Sequence, residues 1–410
     1  MLLLFLAGFL LMGLYYILKP VREALILSQA GAVVKSYSSA AQALLFVAVV
    51  PIYSAFSARV TRVWLLSGMT LFFISNLVLF IIAGNAGLHV GVVYYIWLGI
   101  FNFMVVSQFW AFANDIYNEE QGKRLFPIVG IGGTLGAWLG ARWTGEMFAS
   151  AGPYLLMTIA SVLLGVFILM MFWINRRVAK GSKHETEKAE QKLNKEGGFS
   201  LVMKSRYLRL VAFHVLLLNL VNTIGEFILG SIVEHAAIVN VGAGVAHEAA
   251  RGDYIGAFYG SFFGWVNLAT FLIQSFLVSR FIKKLGIRGT LFIGPIISAV
   301  TYSLSAIRPT LQDVQYAKMA ENSNDYSTNN TIRQALFLPM SRDVKYKAKA
   351  AIDTFFGRSG DALQAVVVFI GANLSLAVPA FAVVNLGFVA IWLAVCGGIS
   401  KEFKKLTSVE

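Results

Sequence analysis

Arg176-Arg-Val-Ala-Lys-Gly-Ser-Lys-His-Glu-Thr-Glu-Lys-Ala-Glu-Gln-Lys-Leu-Asn-Lys-Glu-Gly-Gly198 is rich in Lys, Glu and Gln and almost empty of apolar side chains. With so little to bury, it reads as a solvated linker. On either side the chain turns apolar for long stretches. Runs broken by Gly, Pro, Asn or charge lie near 1–19, 38–58, 63–84, 89–117, 127–150 and 153–175 before it, and near 207–233, 254–282, 286–306, 310–339, 346–373 and 377–398 after it. Each has about the 20 residues that a helix needs to cross a hydrocarbon core of ~30 Å. Over 410 residues, 57% are hydrophobic and 13% charged, whereas a soluble domain is roughly half apolar and a quarter charged. The expectation is an all-α membrane protein of about twelve transmembrane helices. Its layout is a six-helix half over 1–175, a cytoplasmic linker over 176–198, a second half over 199–400 and a cytoplasmic tail over 401–410.

The basic residues give an orientation. If the amino terminus is cytoplasmic, that side collects Arg59 and Arg62, Lys123 and Arg124, nine Lys and Arg from Arg176 to Arg206, four from Arg280 to Arg288, four from Arg342 to Lys349, and Lys401, Lys404 and Lys405. The opposite side holds only Lys35, Arg251 and Arg308. The positive-inside rule then places both ends in the cytoplasm, and the expected location is a multi-pass position in an inner (cytoplasmic) membrane. The net charge of +13 is thereby explained without a nucleic-acid partner. The first run, Leu-rich from Met1, lacks the charged start and cleavage site of a secretory signal and is expected to be a permanent span. Cys396 is a single cysteine in the last run, so no disulfide and no thiolate metal cluster is expected. At a constant offset of 224, Glu119 matches Asp343, Lys123 matches Lys347, Gly133 matches Gly357 and Gly136 matches Gly360. Parallel halves of this kind mark the major facilitator architecture.

An ionisable side chain at the bilayer centre costs about 2.5–3.5 kcal/mol on insertion scales, so each one calls for a partner or a watery cavity. The first run ends in Lys19, Arg22 and Glu23, with Lys19 and Glu23 at i,i+4 beside Pro20. These are either snorkelling helix-end charges or the mouth of an anion path. The tenth run is the most polar, with Lys318, Glu321, Asn322, Asp325, Asn329 and Arg333 on one helical face. At 1.5 Å per residue that face covers ~22 Å. Lipid cannot solvate it, which leaves a water-filled cavity, the favoured reading, or a ladder of buried ion pairs. Glu226 lies mid-run beside Asn222 and is either a coupling group for protons or cations or a charge partner. His214, three turns earlier, reads as structural, and so does the Arg142–Glu146 pair. Asp353, Arg358 and Asp361 fall in the eleventh run, where Gly357 and Gly360 suit close helix packing and Arg358 enters the core. Gly130-Ile-Gly-Gly-Thr-Leu-Gly136 has loosely the letters of a phosphate loop, but it follows no strand and lacks a Lys-Ser/Thr ending, so helix packing is the better reading.

Four stretches carry a resemblance to a known group: Leu18-Lys-Pro-Val-Arg-Glu-Ala-Leu25; Phe109-Trp-Ala-Phe-Ala-Asn-Asp115 with Gly122-Lys-Arg-Leu-Phe126 and Gly130-Ile-Gly132; Asn219 to Glu226; and Asp325-Tyr-Ser327 through Arg333 to Asp353 and Gly357-Arg-Ser-Gly360. They resemble the ATP/ADP translocases of intracellular bacteria and plastids, a branch related to the major facilitator fold. The resemblance implies that Arg22, with Lys19 nearby, and Arg358 bind phosphate, that Arg333 sits at a position usually basic, and that Glu226 matches an acidic residue of the seventh span. Arginine suits phosphate because it makes bidentate, charge-assisted bonds. Gln121, Leu229, Gly230, Gln334 and Asp361 depart from the pattern expected of the family and alter the charge of the cavity.

The expected function is secondary transport, by exchange or ion coupling, of a phosphate-bearing anion such as a nucleotide. Lys19, Arg22, Asn322, Asn329, Arg333 and Arg358 would bind it, and Glu226, Asp325 and Glu321 would couple protons or cations. No cofactor, metal or catalytic residue is expected, and the protein should act as a monomer. Export of another solute or of lipid is the alternative within the same fold. A scaffold or a membrane enzyme fits less well, because no nucleophile appears with its base.

Overall fold

Within hydrocarbon no water satisfies backbone N–H and C=O groups, so apolar runs of this length fold into helices that bond internally. The computed structural model describes residues 2–57, 62–116, 119–179, 198–341 and 344–407, and among them no strand occurs. Among the described residues twelve long rods follow one another, with the short helix Gly198–Lys204 ahead of the seventh. The first three are Leu2–Gln29, Gly31–Ser57 and Arg62–Asn85, and the fourth covers 91–116. Glu119–Ala179 divides at Gly152, where φ is 67° and Pro153 opens the sixth rod. Only glycine adopts that conformation cheaply. The seventh is Arg206–Val241; the eighth and ninth, 248–285 and 287–307, divide at Gly286 in the same way. The tenth and eleventh cover 311–335 and 344–373, and the last is Val378–Thr407.

Among the described residues, eight segments are long and apolar enough to cross a membrane by length and composition; one of them, Leu125–Arg177, holds two rods, the ninth rod contributes the shorter apolar helix Ile293–Ile307, and the tenth and eleventh rods are not among them. These same two rods hold three of the five π-helical turns, at 325–329, 344–348 and 352–356. A π turn carries one extra residue and rotates the face that follows it, a feature frequent at functional sites.

The connection between the first two rods corrects the sequence reading. A loop was expected from residue 20 to 37, with Lys35 counted among its charges. Instead the first helix passes through Pro20 to Gln29 and the second starts at Gly31. Lys19, Arg22, Glu23 and Lys35 therefore all lie inside helices. Hydropathy discounts such a stretch, yet its one carboxylate gathers two of its cations, as described below. The charges expected at Arg59, Arg62, Lys123, Arg124, Arg342 and Lys345, and the linker from 180 to 197, lie outside the residues whose side chains are described.

Two compact units form, one from Met1–Glu187 with Glu234–Asn267 and one from Lys188–Val233 with Leu268–Glu410. The last turns of the seventh rod, from Glu234, and the eighth rod as far as Asn267 thus pack in the first unit. In that unit the fifth rod lies against the first so closely that a methyl group on Gly136 would stand 2.0 Å from the Phe9 carbonyl oxygen, and one on Gly140 2.3 Å from that of Gly13. In the second unit a methyl on Gly360 would stand 2.8 Å from Asn219 Cβ and the Leu220 nitrogen, so the eleventh rod meets the seventh in the same manner. Gly136 and Gly360 are the pair related by the offset of 224, and each provides the small residue at which its helix crosses a neighbour. The Gly130–Gly136 stretch is helix packing, as expected.

Candidate functional site

In the first unit, charge collects where the first, second, fourth and eighth rods meet. Glu23 is 1% exposed. Its Oε2 lies 2.6 Å from Lys35 Nζ, and its Oε1 accepts from Arg22 Nε at 3.0 Å and from a terminal guanidinium nitrogen. The Arg22 guanidinium lies over the Tyr95 ring, 4.5 Å from its centroid. Lys19 Nζ is 4.0 Å from the centroid of Phe263 and 5.2 Å from that of Tyr16. Aromatic faces attract cations without neutralising them. The i,i+4 spacing suggested a Lys19–Glu23 pair; Glu23 instead faces Arg22 and the second rod.

In the second unit the tenth rod buries its upper polar turns against the seventh and ninth. Lys318, 1% exposed, donates to the Asn222 carbonyl oxygen at 2.9 Å, to Asn222 Oδ1 and to Glu321 Oε2 at 2.7 Å. An ammonium has three donors, and these contacts use them all. Glu321 also accepts from Ser298 Oγ at 2.7 Å and faces the Tyr302 hydroxyl at 2.6 Å. Glu226, a quarter exposed, lies 3.7 Å from Lys318 and accepts from Asn322 Nδ2 at 3.0 Å. Lys318 is thus one basic group facing two acidic side chains, Glu321 and Glu226.

From the π turn onward the same rod changes character. Asp325, Asn329 and Arg333, with Leu218, Tyr326 and Asn330, line a cavity of about 350 Å³. Asn222 Nδ2 donates to Asp325 Oδ2 at 3.3 Å, Arg333 Nε lies 3.8 Å from Asp353, and Lys349 donates to Asp353 at 3.0 Å. Arg358, rather than entering the core, keeps 39% of its side chain exposed and reaches Asp361 at 3.4 Å. Both alternatives for the tenth rod thus occur in one helix. Residues 318–322 form a buried ladder and residues 325–333 line a cavity.

Several residues at these sites escaped the sequence reading, among them Lys35, Tyr302 and Ser298. Lys35 was assigned to a loop. Tyr302 and Ser298 were passed over, although Ser298, Thr301, Tyr302 and Ser305 form an i, i+3, i+4, i+7 stripe on an otherwise apolar rod, which is a readable signal. His214 is structural, as expected. Its Nδ1 accepts the Trp392 indole N–H at 2.8 Å, and since indole only donates, the proton of the neutral imidazole sits on Nε2.

The family profile described as TLC ATP/ADP transporter matches residues 90–403. The first-unit charges at residues 19–35 precede that stretch. The chloroplastic ADP,ATP carrier protein 2 of Arabidopsis thaliana is 25% identical over 360 residues, 77% of this chain and 55% of that protein. ADP,ATP carrier protein 1 of Chlamydia pneumoniae is 25% identical over 337 residues, 73% of this chain and 64% of that protein. The chain thus spans between about half and two thirds of the length of these curated relatives. Among solved structures, the nucleoside transporter NupG superposes with a TM-score of 0.67 at 14% identity, covering 98% of each chain. A POT family transporter in complex with 5-aminolevulinic acid gives 0.67 at 12% identity, covering 99% of this chain and 96% of that one. At such identities the likeness is one of fold: an all-α membrane protein with the twelve-helix, two-half major facilitator architecture. Because the profile covers three quarters of the sequence and includes the polar tenth and eleventh rods, the chain belongs to the TLC ATP/ADP transporter family.

Proposed function

We propose that this protein is a secondary transporter that moves a phosphate-bearing anion of the nucleotide class by alternating access between its six-helix halves, residues 1–175 and 199–400. The observation that carries this reading is the set of charged and amide side chains held within the helices of both units. Lys19 and Arg22 supply cations in the first unit, and Arg333 and Arg358, with Asn329, supply donors in the second, where the buried Asn322 donates to Glu226. Such residues are costly in a bilayer, and they mark substrate paths. Glu226, Glu321 and Asp325 serve as the coupling set. Glu321 is engaged by three donors from three side chains, so Glu226, the more accessible carboxylate beside Lys318, is the member best placed to exchange a proton or cation with the path.

The transporter acts as a monomer in an inner membrane with both termini in the cytoplasm, the linker at 176–198 lying on that side. Uptake of labelled ATP, ADP and sugar phosphates into proteoliposomes, with and without unlabelled counter-substrate inside, tests the reading. Uptake of nucleotides supports it. Uptake of neutral or cationic solutes alone, with no phosphate-bearing anion moved, overturns it.

A further inference from the structure

Arg22 and Glu23 are successive residues of one helix, and successive side chains leave a helix about 100° apart, so they do not face each other. The guanidinium of Arg22 is nonetheless turned back onto Glu23. Lys35, from the second rod, takes the other oxygen of the same carboxylate at 2.6 Å and is itself 5% exposed. A single carboxylate thus gathers two cations from two helices in a largely buried setting. The trio keeps one positive charge, which a low-dielectric surrounding makes expensive. Arg22 is the least buried of the three, with 15% of its side chain exposed.

We propose that Lys35 and Arg22 together bind a phosphate group of the substrate, and that Glu23 occupies the place of that phosphate while the protein is empty. The proposal rests on the transport reading above and adds to it a ligand, Lys35, and an internal stand-in anion, Glu23. A phosphate presents more charge and more acceptor oxygens than one carboxylate and meets the arginine fork bidentately, so it wins both cations once it reaches them. The displaced carboxylate has a partner one helical turn away, because Lys19 stands at i−4 on the same face. Lys35 thereby ties the second rod to substrate occupancy, and the aromatic rings of Tyr95 and Tyr259, against Arg22 and Lys35 respectively, hold both cations in place without competing as anions.

The test measures dissociation constants of ATP and of inorganic pyrophosphate for the purified protein, with thermal unfolding recorded for every variant. Glu23→Gln removes the stand-in and is expected to bind both probes at least as tightly as the parent. Lys35→Gln alone strands Glu23 and is open to misfolding, so the deciding comparison is made in the Glu23→Gln background. There, adding Lys35→Gln is expected to weaken ATP at least tenfold, while Lys35→Arg restores most of it. If E23Q/K35Q binds as tightly as E23Q, Lys35 is only a counter-ion for Glu23 and the proposal fails. If E23Q loses binding altogether, Glu23 is not a stand-in and the proposal fails equally. A folded parent protein that binds neither probe overturns the transport reading itself, which separates the two failures.

Discussion

Replacing Lys318 by methionine removes the cation of the second-unit ladder while leaving a side chain of similar length. Lys318 is 1% exposed and donates to Asn222 and Glu321. Its loss leaves Glu321, 5% exposed, with the Ser298 and Tyr302 hydroxyls but no cation, and leaves the Asn222 carbonyl short of a donor. Removing one partner of a buried ion pair costs about 3–5 kcal/mol, because the other charge is stranded. At about 2–4 °C per kcal/mol for a unit of this size, the midpoint should fall by about 6–20 °C. Adding Glu321→Gln removes the stranded charge and keeps acceptor and donor groups toward Ser298 and Tyr302, so the double variant should recover roughly half of the loss or more, a coupling well above the additivity error of about 0.3–0.5 kcal/mol. The assay is thermal unfolding in detergent followed by tryptophan fluorescence, for the parent, both single variants and the double. A K318M midpoint within about 2 °C of the parent, or a double variant no better than K318M, would refute the reasoning that the ladder is a closed charge pair.

Within one glycine-rich stretch, Gly136→Ala should destabilise by about 1–3 kcal/mol through forced separation of the first and fifth rods, whereas Gly130→Ala, with nothing near the added methyl, should match the parent or exceed it; midpoints of the two variants compared side by side decide this. Glu226→Gln should retain exchange of labelled nucleotide while losing accumulation against a gradient, and accumulation equal to the parent's would remove Glu226 from the coupling set. Trp392→Phe takes the indole donor from His214 Nδ1 and leaves it the weak Cys396 Sγ contact at 3.6 Å, and should cost about 1 kcal/mol, the net worth of one hydrogen bond, with the transport rate per folded molecule unchanged. Arg333→Gln should weaken nucleotide binding at least tenfold if the cavity at the π turn receives the substrate, and an unchanged dissociation constant would exclude that role.

The spans were legible because lipid imposes one rule, length and apolarity, on every crossing helix, and positions such as Gly152-Pro153 break it visibly. The ladder on the tenth rod was legible as a face, since Lys318, Glu321 and Asn322 follow helical spacing. What lay beyond spacing was the identity of partners on other helices. Glu23 offers Lys19 at i−4, yet its carboxylate turns to Lys35, 12 residues on in sequence and across a turn that hydropathy had stretched into a loop. The split of the tenth rod into a buried and a cavity-lining part depends on the π turn at 325–329, whose extra residue leaves no mark in residue spacing. Arg358 was expected in the core because glycines flank it, but glycines govern how near two backbones come, and a long side chain beside them is free to reach outward to Asp361.

The close approach of the first and fifth rods also has a bearing on how the chain is made. Gly13 touches Gly140, which follows it by 127 residues. At ~5–20 residues per second of synthesis, that partner emerges roughly 6–25 s later. Throughout that interval the first rod sits in the membrane without the surface it was shaped to meet, carrying Lys19, Arg22 and Glu23. Lys35 arrives within the same few seconds as Glu23, so a charge partner reaches this segment long before its packing partner does. The ion pair is thus available as a temporary anchor during insertion, and a variant that weakens it should be found first in the quality-control proteases of the cell, before any defect in the finished protein is seen.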